Sequence, residues 1–131
     1  MIKIPKKIYE GMIKHAKLKA PIEACGYLAG VGEEVKVLYE MTNADNSEEH
    51  FSFAPEEQFD VFKKASGLGL RLMACYHSHP ITPARPSDED IRLAYDPNIS
   101  YIIISLAQDM LELKSFKIKN GEVTKEEVEV L

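Results

Sequence analysis

The spacing of apolar residues along the chain predicts three helices. The first covers residues 5–19, where an apolar stripe at four-residue intervals is formed by Ile8, Met12 and Ala16. Proline suits the first turn of a helix and blocks its continuation, so Pro5 and Pro21 bracket this segment. The second helix covers residues 55–66, and the side predicted to face the core carries Phe59, Phe62 and Ser66. A third, shorter helix begins at Ser87.

Strand-like patterns account for most of the remaining chain. The predicted strands cover residues 23–30, 35–41, 51–53, 70–76, 99–106, 111–118 and 122–130. Asn120-Gly121 between the last two is a strong signal for a β-hairpin. No internal repeat, low-complexity tract or linker interrupts the pattern. We therefore expect one domain over residues 1–131, of the α/β (α+β) class, with a central sheet flanked by helices.

Composition and charge narrow the function classes. The 131 residues are 45% hydrophobic and 28% charged, values typical of a globular domain rather than a disordered chain. The net charge of −5, without a Lys/Arg cluster, disfavours nucleic acid as a partner. No apolar run approaches the ~18 residues of a membrane span, and no signal-peptide pattern is present. Two cysteines outside any C-x-x-C arrangement fit a reduced protein, so a cytoplasmic location is the expectation.

The candidate chemistry is concentrated in residues 75–90, CYHSHPITPARPSDED. His77 and His79 are two residues apart at the end of a predicted strand, so both imidazoles face the same side. A catalytic zinc site uses three protein ligands and an open position, and Asp90 at a nearby helix start is the natural third ligand. Three prolines restrict the backbone of the intervening loop.

Other interpretations of this stretch remain open. Ser87 and Asp90 have the S-x-x-D spacing of a helix capping box, so they could serve only as an N-cap pair. The three prolines at three-residue spacing are also compatible with a polyproline II ligand. Glu23 lies at the head of an apolar run, where a glutamate is usually a surface residue. Beside a metal-bound water it would instead be the expected proton acceptor.

Glu23 followed by His77-Ser-His79, seven residues and Ser87-x-x-Asp90 resembles the JAMM (MPN+) metalloprotease motif, in its compact prokaryotic form. The resemblance implies that His77, His79 and Asp90 bind one Zn²⁺ per chain, with a water completing the site. It also implies that Glu23 takes the proton of that water and passes it to the departing amine, while Ser87 stabilises the oxyanion. The fold expected from it is cytidine-deaminase-like, a central mixed sheet flanked by helices.

The resemblance also implies a substrate. Family members cut peptide or isopeptide bonds after the C-terminal Gly-Gly of ubiquitin-like modifiers or of sulfur-carrier proteins. The alternative is a non-catalytic MPN-type scaffold that only binds ubiquitin-like proteins. A nucleobase deaminase is disfavoured, because the chain has neither H-x-E nor P-C-x-x-C. The sequence defines neither the particular modifier nor the oligomeric state.

Several residues near the motif carry weaker expectations. We expect a substrate tail to add along an exposed sheet edge near the metal, with residues 43–53 as a groove wall. Asn43 resembles a recurrent asparagine of the family, although turn chemistry explains it equally well. Two further expectations are simple: buried thiols for Cys25 and Cys75, and solvated side chains for His15 and His50.

Overall fold

The structure, a computed structural model, describes residues 1–107 and 111–131. Three helices are present in these ranges: α1 (Lys6–Lys19), α2 (Pro55–Gly67) and α3 (Asp88–Arg92). The strands are β1 (Ile2–Ile4), β2 (Cys25–Val31), β3 (Glu34–Met41), β4 (Arg71–His79), β5 (Ser100–Ser105), β6 (Glu112–Lys119), β7 (Glu122–Glu126) and β8 (Val128–Val130). No helix in the described part of the chain is long and apolar enough to cross a membrane.

All the strands belong to one mixed sheet with the order β7-β6-β5-β4-β2-β3-β1-β8. The β4–β5, β1–β3 and β1–β8 pairs are parallel and the others antiparallel, so the predicted fold class is confirmed. Three strand predictions were wrong in detail. The sequence pattern missed β1, placed a strand at residues 51–53 where none forms, and ended β4 three residues early, before His77–His79.

A bulge in β4 determines which residues face which side of the sheet. Leu28 pairs with Ala74 but Ala29 pairs with Leu72, so Met73 is the extra residue. Beyond the bulge the strand alternates regularly. The α1 side receives Ala74, Tyr76 and Ser78, while the α2 side receives Cys75, His77 and His79.

The predicted core side of α2 was wrong. Val61 and Ala65 face the sheet and are buried, whereas Phe59 and Phe62 are more than half exposed, at 62% and 55%. The two buried positions are four residues apart and carry smaller side chains, which let the helix approach the sheet closely. The sequence offers two stripes on this helix, and packing against the sheet selected the less bulky one.

His15 was predicted to be solvated and is instead buried, with 3% of its surface exposed. Helix α1 lies on the face of the sheet that Tyr76 occupies, and His15 Nδ1 is 2.7 Å from the Tyr76 hydroxyl oxygen. Because a buried hydroxyl needs a partner, the histidine satisfies an otherwise orphaned group of the core. Burial lowers the pKa of His15.

Gly26 lies opposite Tyr76 in the β2–β4 register, and its hydrogen leaves room for that ring. A Cβ here would collide with the Tyr39 carbonyl oxygen and with the ring of Tyr76. We expect Gly26→Ala to lower the free energy of unfolding by about 3 kcal/mol, measured by urea denaturation, because the overpacked atoms are backbone and a buried ring. The control is Gly67→Ala, where nothing lies within 4 Å of the added atom and stability should not fall.

Candidate metal centre

The end of β4 presents two buried imidazoles to the same side of the sheet. His77 and His79 are 4% and 5% exposed, and their Nε2 atoms are 3.1 Å apart. The ring of Phe51 stacks on His77 with centroids 4.6 Å apart and planes 26° apart. Sequence patterns do not predict this contact, because residues 51–53 are irregular and only the tertiary fold places them over β4.

Helix α3 brings Asp90 to the same point through its N-terminal capping box. The Asp90 backbone N–H donates to Ser87 Oγ, and the Ser87 backbone N–H donates to Asp90 Oδ2, each at 3.0 Å. Asp90 Oδ2 also lies 3.2 Å from His77 Nε2 and 3.1 Å from His79 Nε2. The capping and ligand interpretations of these residues are therefore compatible, since the cap holds the carboxylate against the histidines.

The chemistry of these three atoms suits a cation. His79 Nδ1 lies 2.9 Å from the Pro83 carbonyl oxygen, which only accepts, so Nδ1 carries hydrogen and Nε2 of the neutral ring is a lone pair. His77 Nε2, His79 Nε2 and Asp90 Oδ2 form a triangle with edges of 3.1 to 3.2 Å, and each can offer a lone pair when both rings are neutral. Ligands about 2.0–2.1 Å from a tetrahedral ion are separated by about 3.3 Å, so the triangle closely matches one face of such a site.

The protonation states of His77 and Asp90 suit a cation. Burial lowers the pKa of His77, which favours the neutral ring that a metal requires. Burial alone would raise the pKa of Asp90, but the contacts with His77 and His79 and the hydrogen bond from the Ser87 backbone N–H hold that pKa well below its ordinary value. Burial alone would lower the pKa of His79, but hydrogen bonds with Asp90 and the Pro83 carbonyl raise it, so a bound ion would replace a proton on this ring. His77, His79 and Asp90 form the one histidine–carboxylate cluster of this kind within residues 1–107 and 111–131.

Glu23 lies just before β2 and is held by its backbone on both sides. Its N–H donates to the Ser47 carbonyl oxygen, and its own carbonyl accepts from Asn43 Nδ2 at 3.1 Å. The next residue, Ala24, exchanges hydrogen bonds with Ser78, which lies between the two histidines on β4. These contacts fix Glu23 relative to the histidine pair.

The Glu23 side chain is buried, and one of its two carboxyl oxygens has no partner among the described residues. Glu23 is 4% exposed, and Oε1 makes no hydrogen bond to the described residues. Burial raises its pKa to about 8, an effect that the nearby His79 reduces and Asp90 increases. A buried unpaired carboxyl group is costly, so it marks a place where a missing partner is expected. A bound cation would favour the carboxylate form and lower this pKa.

A cavity of about 710 Å³ extends from the metal centre between α2 and the segment that follows α3. Its wall includes residues 50–53, within the segment predicted as a groove wall. The predicted sheet edge near the metal is wrong, because β4 lies inside the sheet between β2 and β5 and the edges are β7 and β8. A bound tail would therefore lie over the face of the sheet.

Both cysteines are buried and free, as predicted. Cys25 pairs with His77 across the β2–β4 ladder, whereas Cys75 pairs with Tyr27, so the thiols are diagonal rather than opposite. Burial raises the pKa of Cys25 to about 12 and that of Cys75 further. Thiols in this state are poor nucleophiles, which agrees with a packing role.

Comparison with known proteins identifies the family. Residues 5–119 match the family described as prokaryotic homologs of the JAB domain. The chain belongs to this family. The predicted JAMM resemblance is thereby confirmed, and with it the assignment to hydrolases of the peptidase type.

Two curated relatives and one solved structure illustrate the similarity. The CysO-cysteine peptidase of Mycobacterium tuberculosis is 34% identical over 127 residues, covering 95% of this chain and 87% of the relative. A protein of Thermus thermophilus named probable TtuB-protein conjugate cleaving protease is 35% identical over 92 residues, 70% of this chain and 62% of its own. The solution structure of a protein from Desulfitobacterium hafniense is 45% identical with a TM-score of 0.90, covering 100% of this chain and 93% of that one.

Proposed function

We propose that this JAB-family peptidase binds one Zn²⁺ per chain and hydrolyses peptide or isopeptide bonds after the C-terminal Gly-Gly of a ubiquitin-like modifier or sulfur-carrier protein. The observation that carries the proposal is the buried side chain of Glu23, whose Oε1 has no hydrogen-bond partner among the described residues and which lies close enough to His79 and Asp90 for their charges to act on it. A scaffold that only binds a modifier does not require a buried, unpaired carboxyl oxygen, which lowers the stability of the fold. The non-catalytic alternative is therefore not favoured.

His77, His79 and Asp90 would hold the ion, with His77 as the neutral ring that burial favours and Asp90 as the carboxylate. When bound, zinc supplies a Lewis acid and lowers the pKa of water to about 7. Glu23 would accept the proton that the attacking water loses, and its depth keeps that proton away from bulk solvent.

Ser87 would stabilise the oxyanion of the tetrahedral intermediate. Its Oγ accepts a hydrogen bond from the Asp90 backbone N–H, which leaves the hydroxyl hydrogen free to be donated. Because the capping box anchors both residues, the donor is already oriented when substrate binds.

The substrate class is supported by the names of the relatives and by the cavity. Those names specify cleavage of CysO-cysteine and of TtuB-protein conjugates. The cavity beside the metal centre has a volume of about 710 Å³ and is lined by aromatic residues from the loop before α2 and from β5. An extended protein tail can lie in such a cavity, and a Gly-Gly end has no side chains to collide with the stacked Phe51 and His77 rings.

The direct test uses a ubiquitin-like protein of the same genome that ends in Gly-Gly, joined to the lysine Nε of a short peptide. We expect the purified protein to contain about one zinc per chain and to release the modifier with a free Gly-Gly carboxyl group, identified by mass spectrometry. A chelator should abolish release and added zinc should restore it. Binding of the conjugate without hydrolysis by the zinc-loaded protein would contradict the proposal and favour the scaffold.

A further inference from the structure

The two histidines of the metal centre are oriented by different contacts. When a neutral imidazole binds a metal through Nε2, its Nδ1 carries the hydrogen, and a carbonyl or carboxylate oxygen usually accepts that hydrogen and fixes the ring. His79 has such an acceptor, because its Nδ1 lies 2.9 Å from the Pro83 carbonyl oxygen. His77 makes its polar contacts through Nε2, and no group in residues 1–107 and 111–131 forms a hydrogen bond with its Nδ1. The plane of the His77 ring is therefore set by packing.

The register of the sheet explains why His77 lacks an acceptor. Its neighbours on the adjacent strands are Cys25 on β2 and Ile103 on β5. Paired residues of neighbouring strands present their side chains to the same face, so His77 lies between a thiol and an aliphatic side chain. A thiol accepts hydrogen bonds only weakly and an aliphatic side chain not at all. The remaining contact available to this ring is with its face.

Phe51 covers the face of the His77 ring. The two ring centroids are 4.6 Å apart and the planes differ by 26°, which is a stacked arrangement. The torsion about the Cβ–Cγ bond of a histidine has broad minima, so it does not fix the ring plane by itself. That torsion decides where Nε2 points, and rotation about it would drive the edge of the imidazole into the phenyl ring. The stack therefore holds Nε2 beside Asp90 and His79.

The loop that carries Phe51 is fixed on both sides of this residue. Asn43, which is buried, accepts from the Ser52 backbone N–H at 3.4 Å and donates from Nδ2 to the His50 carbonyl oxygen at 2.9 Å. The same Nδ2 lies 3.1 Å from the Glu23 carbonyl oxygen, so the Phe51 backbone is tied to the segment before β2. The His50 side chain is 44% exposed, which confirms the prediction of a solvated residue. None of these contacts involves a metal ligand, so the phenyl ring is in place before an ion binds.

We propose that Phe51 is a positioning residue of the metal centre, whose stacked ring orients His77 in place of the hydrogen bond that orients His79. The inference rests on the zinc site of the proposed function. An imidazole that is already held in the binding orientation loses less rotational entropy when the ion arrives, so the stack increases zinc affinity. Removal of a contact that orients a ligand typically lowers metal affinity by about 10- to 100-fold.

The test compares zinc affinity in three variants, measured on the purified protein by competition with a chelator. Phe51→Leu keeps an apolar side chain but has no planar ring, and we expect it to raise the Kd for zinc by about 10- to 100-fold. Phe51→Tyr keeps the ring and should restore a Kd close to the wild-type value. The matched control is Phe53→Leu, because Phe53 packs on Tyr27 and on Phe51, with centroids 4.8 and 5.4 Å apart, and not on His77. This control should bind zinc as the wild type does.

Urea denaturation of the metal-free variants separates positioning from packing. Phe51→Leu and Phe53→Leu each remove one ring of the same aromatic cluster, so both should lower the free energy of unfolding. A zinc affinity that falls in Phe51→Leu alone supports the positioning role. Equal losses of zinc affinity in the two leucine variants would show that Phe51 only packs the loop.

Two other results would also overturn this inference. One is a wild-type Kd for zinc in Phe51→Leu, and the other is a loss in Phe51→Tyr as large as that in Phe51→Leu. Each of these results leaves the proposed function intact, because the wild type still binds zinc. A wild-type protein that binds no zinc would overturn the proposed function and this inference with it.

Discussion

Glu23→Gln is expected to lower kcat of the zinc-loaded protein by about 10²- to 10⁴-fold on a Gly-Gly conjugate, the range typical of a lost general base. Glutamine preserves the shape of the side chain but cannot accept a proton. The backbone contacts of Glu23 with Ser47 and Asn43 do not involve the carboxyl group and should survive. The measurements are single-substrate kinetics together with the zinc content of the variant.

The matched control for this variant is Glu49→Gln. Glu49 is exposed and close enough to influence the charge on Glu23, but its side chain is not placed in the proposed site. This control should lose little activity. If Glu23→Gln with full zinc content turns over conjugate as fast as the wild type, another group must accept the proton and the assignment of Glu23 is wrong.

The same variant should change how the stability of the metal-free protein depends on pH. The folded-state pKa of Glu23, about 8, lies above the ordinary value of 4.5, so the folded protein binds more protons than the unfolded chain between these pH values. The free energy of unfolding of the wild type therefore decreases as pH rises from 4.5 to 8, because Glu23 keeps its proton in the folded protein and loses it in the unfolded chain. We expect Glu23→Gln to have the same free energy of unfolding as the wild type below pH 4.5. Above pH 8 it should be more stable by a few kcal/mol, because a pKa difference of one corresponds to about 1.4 kcal/mol.

His77→Ala is expected to abolish both zinc binding and turnover. The variant removes one corner of a triangle of three acceptor atoms. Structural zinc sites with four ligands bind with about 10–16 kcal/mol, so each ligand contributes several kcal/mol and zinc affinity should fall by at least about 10³-fold. Metal analysis and zinc titration measure the loss directly.

Thermal unfolding provides an independent measurement of the same loss. Zinc at 100 times its Kd should raise the free energy of unfolding of the wild type by about 2.7 kcal/mol. The same zinc concentration should not stabilise the His77→Ala variant. His50→Gln is the control, because His50 lies in the same cavity outside the triangle and zinc should still stabilise that variant. Retention of stoichiometric zinc by His77→Ala would show that the ion binds elsewhere.

Elements of the fold were predictable where local patterns are strong. The α1 stripe, the Asn120-Gly121 hairpin and the Ser87 helix start each depend on neighbouring residues alone. The predictions failed where packing chooses between local options. Helix α2 buries Val61 and Ala65 instead of the larger phenylalanines, and His15 enters the core because Tyr76 requires a hydrogen-bond partner.

The sequence by itself determined the donor atoms of this protein and their order, because the spacing of Glu23, His77, His79, Ser87 and Asp90 is a property of the chain. The tertiary structure alone decided three other matters. It placed β4 inside the sheet, stacked Phe51 on His77 and joined Ala24, next to Glu23, to Ser78 between the two histidines. The physical reason is that these contacts join segments that local periodicity cannot relate. They depend on how the sheet orders its strands and on which buried polar groups each loop must satisfy.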